Sequence, residues 1–349
     1  MKYDTLIRQA LIIDGSNTPG YVADVGLRAG RIETIGDLSS ATGEHEVDAR
    51  GRVLAPGFID VHTHDDTVVI RHPQMLPKLS QGVTTVIVGN CGISASPVSL
   101  RSDPPDPMNL LGAREAFAYP RFADYRAAVE SAHPAVNVAA LIGHTALRSN
   151  HMDDLHRTAT PSEIAAMRVQ LQESLQAGAL GLSTGLAYAS AFNAETDEVL
   201  QLSEELTAFG AVYTTHLRSE FEPVLEAMDE AFVIGRHAQA PVIISHLKCA
   251  GAGNWGRSPQ LLASLELAAQ THPVGCDCYP YAASSSTLDL KQVTDAFRIT
   301  ITWSTPHPEV GGRDLQDIAA QWEVSLMDAA RRLQPAGAVY YGMDEADVR

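Results

Sequence analysis

Residues 56–64 read Pro56-Gly57-Phe58-Ile59-Asp60-Val61-His62-Thr63-His64. A short apolar run ends in two histidines spaced i, i+2. Alternate side chains of a strand share one face, so both imidazoles point the same way. The stretch is the first of seven similar runs, at 58–62, 84–89, 136–143, 179–183, 211–216, 241–246 and 274–279. Helical patterns separate several of them, at 161–177, 196–209, 222–238 and 258–270. Strand–helix alternation predicts a parallel sheet covered by helices, an α/β class. Polar residues gather at the C-terminal ends of many runs rather than at one crevice. That favours a (β/α)8 barrel over an open doubly wound sheet, because barrel active sites lie at that face.

Working outward, residues 1–56 read as short strands broken by Gly15, Gly20, Gly30 and Gly36, part of a small β domain. Residues 57–281 carry the barrel pattern. From 282 to 349 the alternation degrades after Ser284-Ser285-Ser286, leaving helices near 314–322 and 325–333 and a strand-like 338–341. The last strand of the barrel is missing from this pattern.

The chain has 349 residues, with 25 Lys and Arg against 42 Asp and Glu, a formal charge of −17. Such a charge opposes binding to nucleic-acid phosphates, which runs on Lys and Arg. No apolar run approaches the ~20 residues of a membrane span. The N-terminal stretch interrupts its apolar residues with Asp4, Arg8 and Asp14, unlike a secretory leader. Four cysteines, Cys91, Cys249, Cys276 and Cys278, form no CxxC pair and predict reduced thiols in the cytoplasm.

The candidate chemistry lies at the run ends. His62 and His64 close the first run. Cys91 follows the second, between Asn90 and Gly92, where the chain turns tightly. His216 and His246 each end a later run. Any one of these is more simply a satisfied core or strand-end residue. A barrel, however, brings all five into one mouth. Imidazole and thiolate are zinc ligands, and five donors exceed the four of one tetrahedral site. They suit two metals sharing a ligand, or one occupied and one weak site. Lys248, two residues past His246, is placed to hold a carboxylate as a point charge. Tyr279 and Tyr188 are candidate rim hydroxyls. His144, ending the third run, is expected behind the site, and Cys276 and Cys278 in the core.

These motifs resemble a known family. PGFIDVHTHDD (56–66) resembles the opening strand of the amidohydrolase superfamily. VIVGNCGIS (86–94), GALGLSTGLAY (178–188), TTHLRSE (214–220), ISHLKCAGAGNWG (244–256) and ITWSTPHPE (301–309) resemble its N-acyl-D-amino-acid deacylase branch, which includes D-aminoacylases and N-acyl-D-glutamate deacylases. The resemblance implies a barrel flanked by a small β-sandwich domain, with residues 282–349 as a subdomain inserted over the active site. It implies a tight zinc on Cys91, His216 and His246, and a weaker site on His62 and His64 sharing Cys91. It places Lys248, Tyr279, Ser285 and Tyr188 against a small-molecule N-acyl-D-amino acid, with Tyr279 polarising the acyl carbonyl. It also implies a proton-shuttling aspartate beyond Arg349, so the chain is expected to be part of a longer protein.

The expected reaction is hydrolysis of the amide to a carboxylate and a free D-amino acid. ITWSTPHPE and ISHLKCAGAGNWG look closest to members acting on N-acyl-D-glutamate. One rival is another amidohydrolase activity, such as cyclic-amide hydrolysis, which would call for a bridging carbamylated lysine. The fourth run, 179–183, holds no lysine. A second rival is a metal-binding fragment without catalysis.

Overall fold

The structure, a computed structural model, describes residues 2–349. The chain divides into two compact units, Met1–Ile59 with Gln81–Thr84, and Asp60–Ser80 with Thr85–Arg349.

The first unit is built on β1 (Lys2–Ile12). It pairs antiparallel with β2 (Tyr21–Arg28) and parallel with β4 (Thr42–Asp48) and β5 (Val53–Leu54), and β3 (Arg31–Gly36) adds to β2. Leu6, Ala10, Ile12 and Val25 are buried along it. A bulge between Ile7 and Ala10 puts Gln9 at φ 53°, where its N–H donates to Asp24 Oδ1 at 2.8 Å. The described residues of this unit form one five-stranded sheet. A sandwich needs two sheets face to face.

The expected seven runs appear as β6 (Phe58–Asp60), β7 (Val83–Val88), β8 (Asn137–Ala140) continued by β9 (Ile142–Gly143), β10 (Gly181–Gly185), β11 (Val212–His216), β12 (Val242–Ile244) and β13 (Val274–Cys276). They form two sheets, β6-β7-β8 and β13-β12-β11-β10-β9. Pairing is parallel from β7 to β8 and throughout the second sheet. Leu141, between β8 and β9, donates its N–H to Val88 O at 2.9 Å and keeps the line going. No strand pairing among the described residues joins β13 to β6, so hydrogen bonding does not close a barrel. Cys276 and Cys278, expected in the core, are exposed. The reason is position: β13 ends the sheet, pairing only with β12 among the described residues, and Cys278 lies just past it.

The helices follow local rules. Pro161–Gln176 starts with Thr160 as N-cap, Pro161 in the first turn and Glu163 completing a capping box. Its buried Ile164, Met167, Leu171 and Leu175 recur on one face, and such a stripe is what holds a helix to a sheet. Val224–Ala238 buries Val224, Met228, Ala231 and Phe232 in the same way. After β13 the chain forms a three-stranded antiparallel sheet, β14 (Ser284–Thr287), β16 (Ala336–Tyr340) and β15 (Ile299–Ser304), with β16 in the middle. Ile301, Leu315, Ile318, Leu333 and Ala338 form its own core.

Candidate functional site

The C-terminal ends of the parallel strands carry the polar residues, because a strand end is where a side chain leaves the packed interior. His62 and His64 follow β6, His216 ends β11, and His246 lies just past β12. Cys91 follows β7 in a turn that only small residues permit. Gly92 has φ +74°, and a Cβ there would lie 2.6 Å from Gly185 N. Cys91 itself takes φ 55° and His246 φ 39°. Two non-glycine residues in the left-handed region cost about 1–3 kcal/mol each, and such strain persists where surrounding structure enforces it. Part of that enforcement is Asp66, buried under the turn, which accepts from Gly89 N at 3.3 Å and Ala95 N at 3.1 Å.

The structure brings the five candidate donors together. Cys91 Sγ lies 3.1 Å from His62 Nε2 and 3.4 Å from His246 Nε2, and it also meets His216. Cys91, His216 and His246 offer ligand atoms all within 4.8 Å of one another, and so do His62, His64 and Cys91. Burial pushes the Cys91 thiol up, but the neighbouring His246, His62 and His216 outweigh it and hold it well below the ordinary thiol value. These neighbours favour its thiolate form. His64 Nδ1 is buried without a hydrogen-bond partner, beside Cys91 and the His62 ring. One thiolate and two imidazoles, with a fourth position open, suit zinc.

The other ring nitrogens are held from behind. His62 Nδ1 lies 3.2 Å from the Asp277 carboxylate, which also accepts from His246 N at 2.7 Å. His216 Nδ1 lies 3.2 Å from Tyr188 Oη. His246 Nδ1 lies 2.7 Å from Glu220 Oε1. With each Nδ1 engaged in this way, the Nε2 atoms of His62 and His246 are left facing the sulfur.

Glu220 also forms an ion pair with Lys248, whose side chain is only 6% exposed. Burial pushes the Glu220 carboxyl up, but Lys248, His246 and His216 outweigh it and keep it ionised. The Lys248 ammonium sits 5.6 Å from the centre of the Tyr279 ring. Burial, with Glu220 nearby, pushes the Tyr279 hydroxyl well above its usual range, so it stays a donor. A cavity of about 1300 Å³ opens over this cluster. His64, Cys91, Tyr188, His216, His246, Lys248, Tyr279 and Ser285 all line it, together with the rest of β14 and Tyr340.

His144 does not line the cavity. It is fully buried and gives Nε2 to Glu198 at 2.7 Å. Sequence reasoning missed Glu220 and Asp277. Glu220 had a usable signal, since it lies four residues past His216 inside the quoted TTHLRSE. Asp277 had little, being flanked by two cysteines that drew the attention.

The sequence profile of the amidohydrolase family matches residues 45–348. An N-acyl-D-aspartate deacylase of Alcaligenes xylosoxydans xylosoxydans is 48% identical over 99% of this chain and 69% of its own. A D-aminoacylase structure, from work on the functional role of its binuclear metal centre, is 46% identical with a TM-score of 0.96, over 99% of this chain and 73% of that one. An N-acyl-D-glutamate deacylase from Bordetella bronchiseptica, complexed with zinc and a phosphonate mimic of the tetrahedral intermediate, is 43% identical with a TM-score of 0.95. That match covers all of this chain (100%) and 73% of that one. The thiolate–imidazole cluster thus sits in a chain that belongs to the amidohydrolase family, in its N-acyl-D-amino-acid deacylase branch.

Proposed function

We propose that this chain carries the active site of a zinc-dependent hydrolase of N-acyl-D-amino acids. The observation that supports it most is the convergence of Cys91, His216 and His246 beneath a cavity whose wall holds a buried lysine. Cys91, His216 and His246 would hold the tight zinc, and His62 and His64, sharing Cys91, a weaker one. Zinc, when bound, supplies Lewis-acid polarisation of an acyl oxygen and activates water at neutral pH. The remaining work falls to the protein. Lys248 binds the α-carboxylate, and the Tyr279 hydroxyl donates to the acyl oxygen as negative charge develops there. Tyr188 and Ser285 bound the space around the substrate. The inserted segment narrows access and limits bulk water.

The relatives are an N-acyl-D-aspartate deacylase, an N-acyl-D-glutamate deacylase and a D-aminoacylase, at identities of 48%, 43% and 46%. The shared chemistry is an acylated D-amine beside a carboxylate, and that defines the substrate class. Within it we place N-acyl-D-glutamate first, on the likeness of residues 244–256 and 301–309. The same reading divides the chain into residues 1–56 of a small β-sandwich domain, 57–281 of a (β/α)8 barrel and 282–349 of an inserted subdomain. No nucleic-acid or membrane partner enters it, and no described helix is long and apolar enough to cross a membrane. A thiolate ligand must stay reduced, which fits the cytoplasm. Cyclic-amide hydrolysis finds less support, since β10 carries no lysine to bridge two metals.

The test is amine release from N-acetyl-D-glutamate, N-acetyl-D-leucine and their L-isomers by zinc-loaded protein. Turnover of the D-isomers alone is expected. Turnover of the L-isomers at a similar rate, or of a hydantoin in preference to both, would overturn the reading.

A further inference from the structure

Glu220 lies on the loop after β11, outside every residue assigned so far to metal or substrate. Its carboxylate is 13% exposed and reaches two different parts of the site. Oε1 is 2.7 Å from His246 Nδ1 and forms the ion pair with Lys248 Nζ. Oε2 stands 3.9 Å from His216 Nε2. The Glu220 backbone carbonyl accepts from Ala250 N at 3.0 Å, which ties its loop to the one carrying Lys248. The Lys248 ammonium has no other carboxylate partner among the described residues, and it also lies 2.7 Å from His246 Nδ1.

We propose that Glu220 is a positioning residue, one carboxylate that clamps a metal ligand and the substrate-binding lysine together. The proposal rests on the reading of Lys248 given above. His246 turns Nε2 to the sulfur, and its Nδ1 faces both Glu220 Oε1 and Lys248 Nζ, each at 2.7 Å. A carboxylate in that place fixes ring orientation and tautomer and makes the metal-facing nitrogen more basic. The same carboxylate neutralises an ammonium that burial would otherwise make costly. It thereby holds the long, flexible lysine stem in one place. Lys248 has three N–H donors, so an ammonium held by Glu220 and His246 still offers one to an arriving carboxylate. Zinc retention and carboxylate binding are thus coupled through one side chain.

The experiment uses zinc-loaded wild type, Glu220→Gln, Glu220→Asp, Lys248→Met and the Glu220→Gln/Lys248→Met double variant. Two quantities are read: the rate of zinc transfer to a colorimetric chelator, and KM for N-acetyl-D-glutamate. Glu220→Gln should speed zinc loss by ~10–100-fold, the usual effect of removing such a partner. Lys248→Met should raise KM by ~10-fold or more and leave zinc loss unchanged. Glu220→Gln should raise KM as well, and the double variant should not exceed Lys248→Met, because the clamp acts on substrate through the lysine. Glu220→Asp, shorter but charged, should lie between wild type and Glu220→Gln in both. Wild-type zinc loss in Glu220→Gln overturns the proposal, even if its metal-free form melts earlier, since that pattern marks a merely structural role. KM effects that multiply in the double variant overturn it too. Failure of wild type to hydrolyse any N-acyl-D-amino acid would sink the functional reading alone, and the zinc arm would still decide the clamp.

Discussion

Two buried clusters of imidazole, cation and carboxylate follow neighbouring strands, and they behave differently. Around Cys91, three of the imidazoles are held from behind by Asp277, Tyr188 and Glu220, while Cys91 and His64, with its orphan nitrogen, line a cavity. At the end of β9, His144 and Arg148 both grip Glu198, and all three are at most 1% exposed. Arg148 Nη1 meets both Glu198 oxygens, at 2.6 and 2.7 Å, and its other nitrogens take the carbonyls of Ser190, Leu155 and Arg157. His144 Nδ1 is also without a partner, yet among the described residues no cysteine or second imidazole converges on it. The same residue types therefore build a site in one place and a brace in the other. What separates them is convergence of soft donors on a cavity.

The largest expected effect breaks the first cluster. Wild type should keep about one zinc per chain after mild chelation, and Cys91→Ala should lose it, because the thiolate is common to both donor groups. Elemental analysis of folded protein checks this. Stoichiometric zinc in the variant would remove Cys91 from the site.

The brace should answer the opposite way. Arg148→Met leaves Glu198 buried and unpaired by its cation, which typically costs about 3–5 kcal/mol. Urea denaturation should show that loss, while zinc per folded molecule stays at the wild-type level. Zinc loss at undiminished stability would merge the two clusters into one.

Acid sharpens the comparison with a smaller effect. Burial pushes Glu198 up, but His144 and Arg148 outweigh it and bring the carboxyl down to about 2 from an ordinary 4.5. Burial keeps His144 itself neutral, with the Arg148 and Arg218 charges adding to that and only the Glu198 contact opposing it. A depressed carboxyl stabilises the fold above its unfolded value, and that contribution drains as pH falls from about 4.5 toward about 2. Its full size is on the order of 3 kcal/mol. Glu198→Gln should be less stable at neutral pH and flatter with acid than wild type. Parallel curves for the two proteins would show that Glu198 does not carry this slope.

Much of this was legible in the chain itself. Apolar runs ending in histidine marked the strands and their polar ends, since period-2 alternation and a β-rich run need only local sequence. The helical pattern at 161–177 was visible for the same reason, and the helix runs from Pro161 to Gln176. The metal-ligand candidates were visible because His62, Cys91, His216 and His246 each sit at a run end, and donors repeated at that place are rarely decoration.

What the sequence could not fix was which distant groups meet. Asp277 lies 215 positions from His62, and Glu220 reaches Lys248 across 28, so neither contact leaves a local pattern. The left-handed backbone at Cys91 and His246, the exposure of Cys276 and Cys278 at and just past an edge strand, and the sealing of His144 behind Glu198 are decided only by what packs alongside. Local sequence sets the period and the donors. Tertiary structure sets burial and convergence, and these decide whether a histidine binds, braces or merely packs.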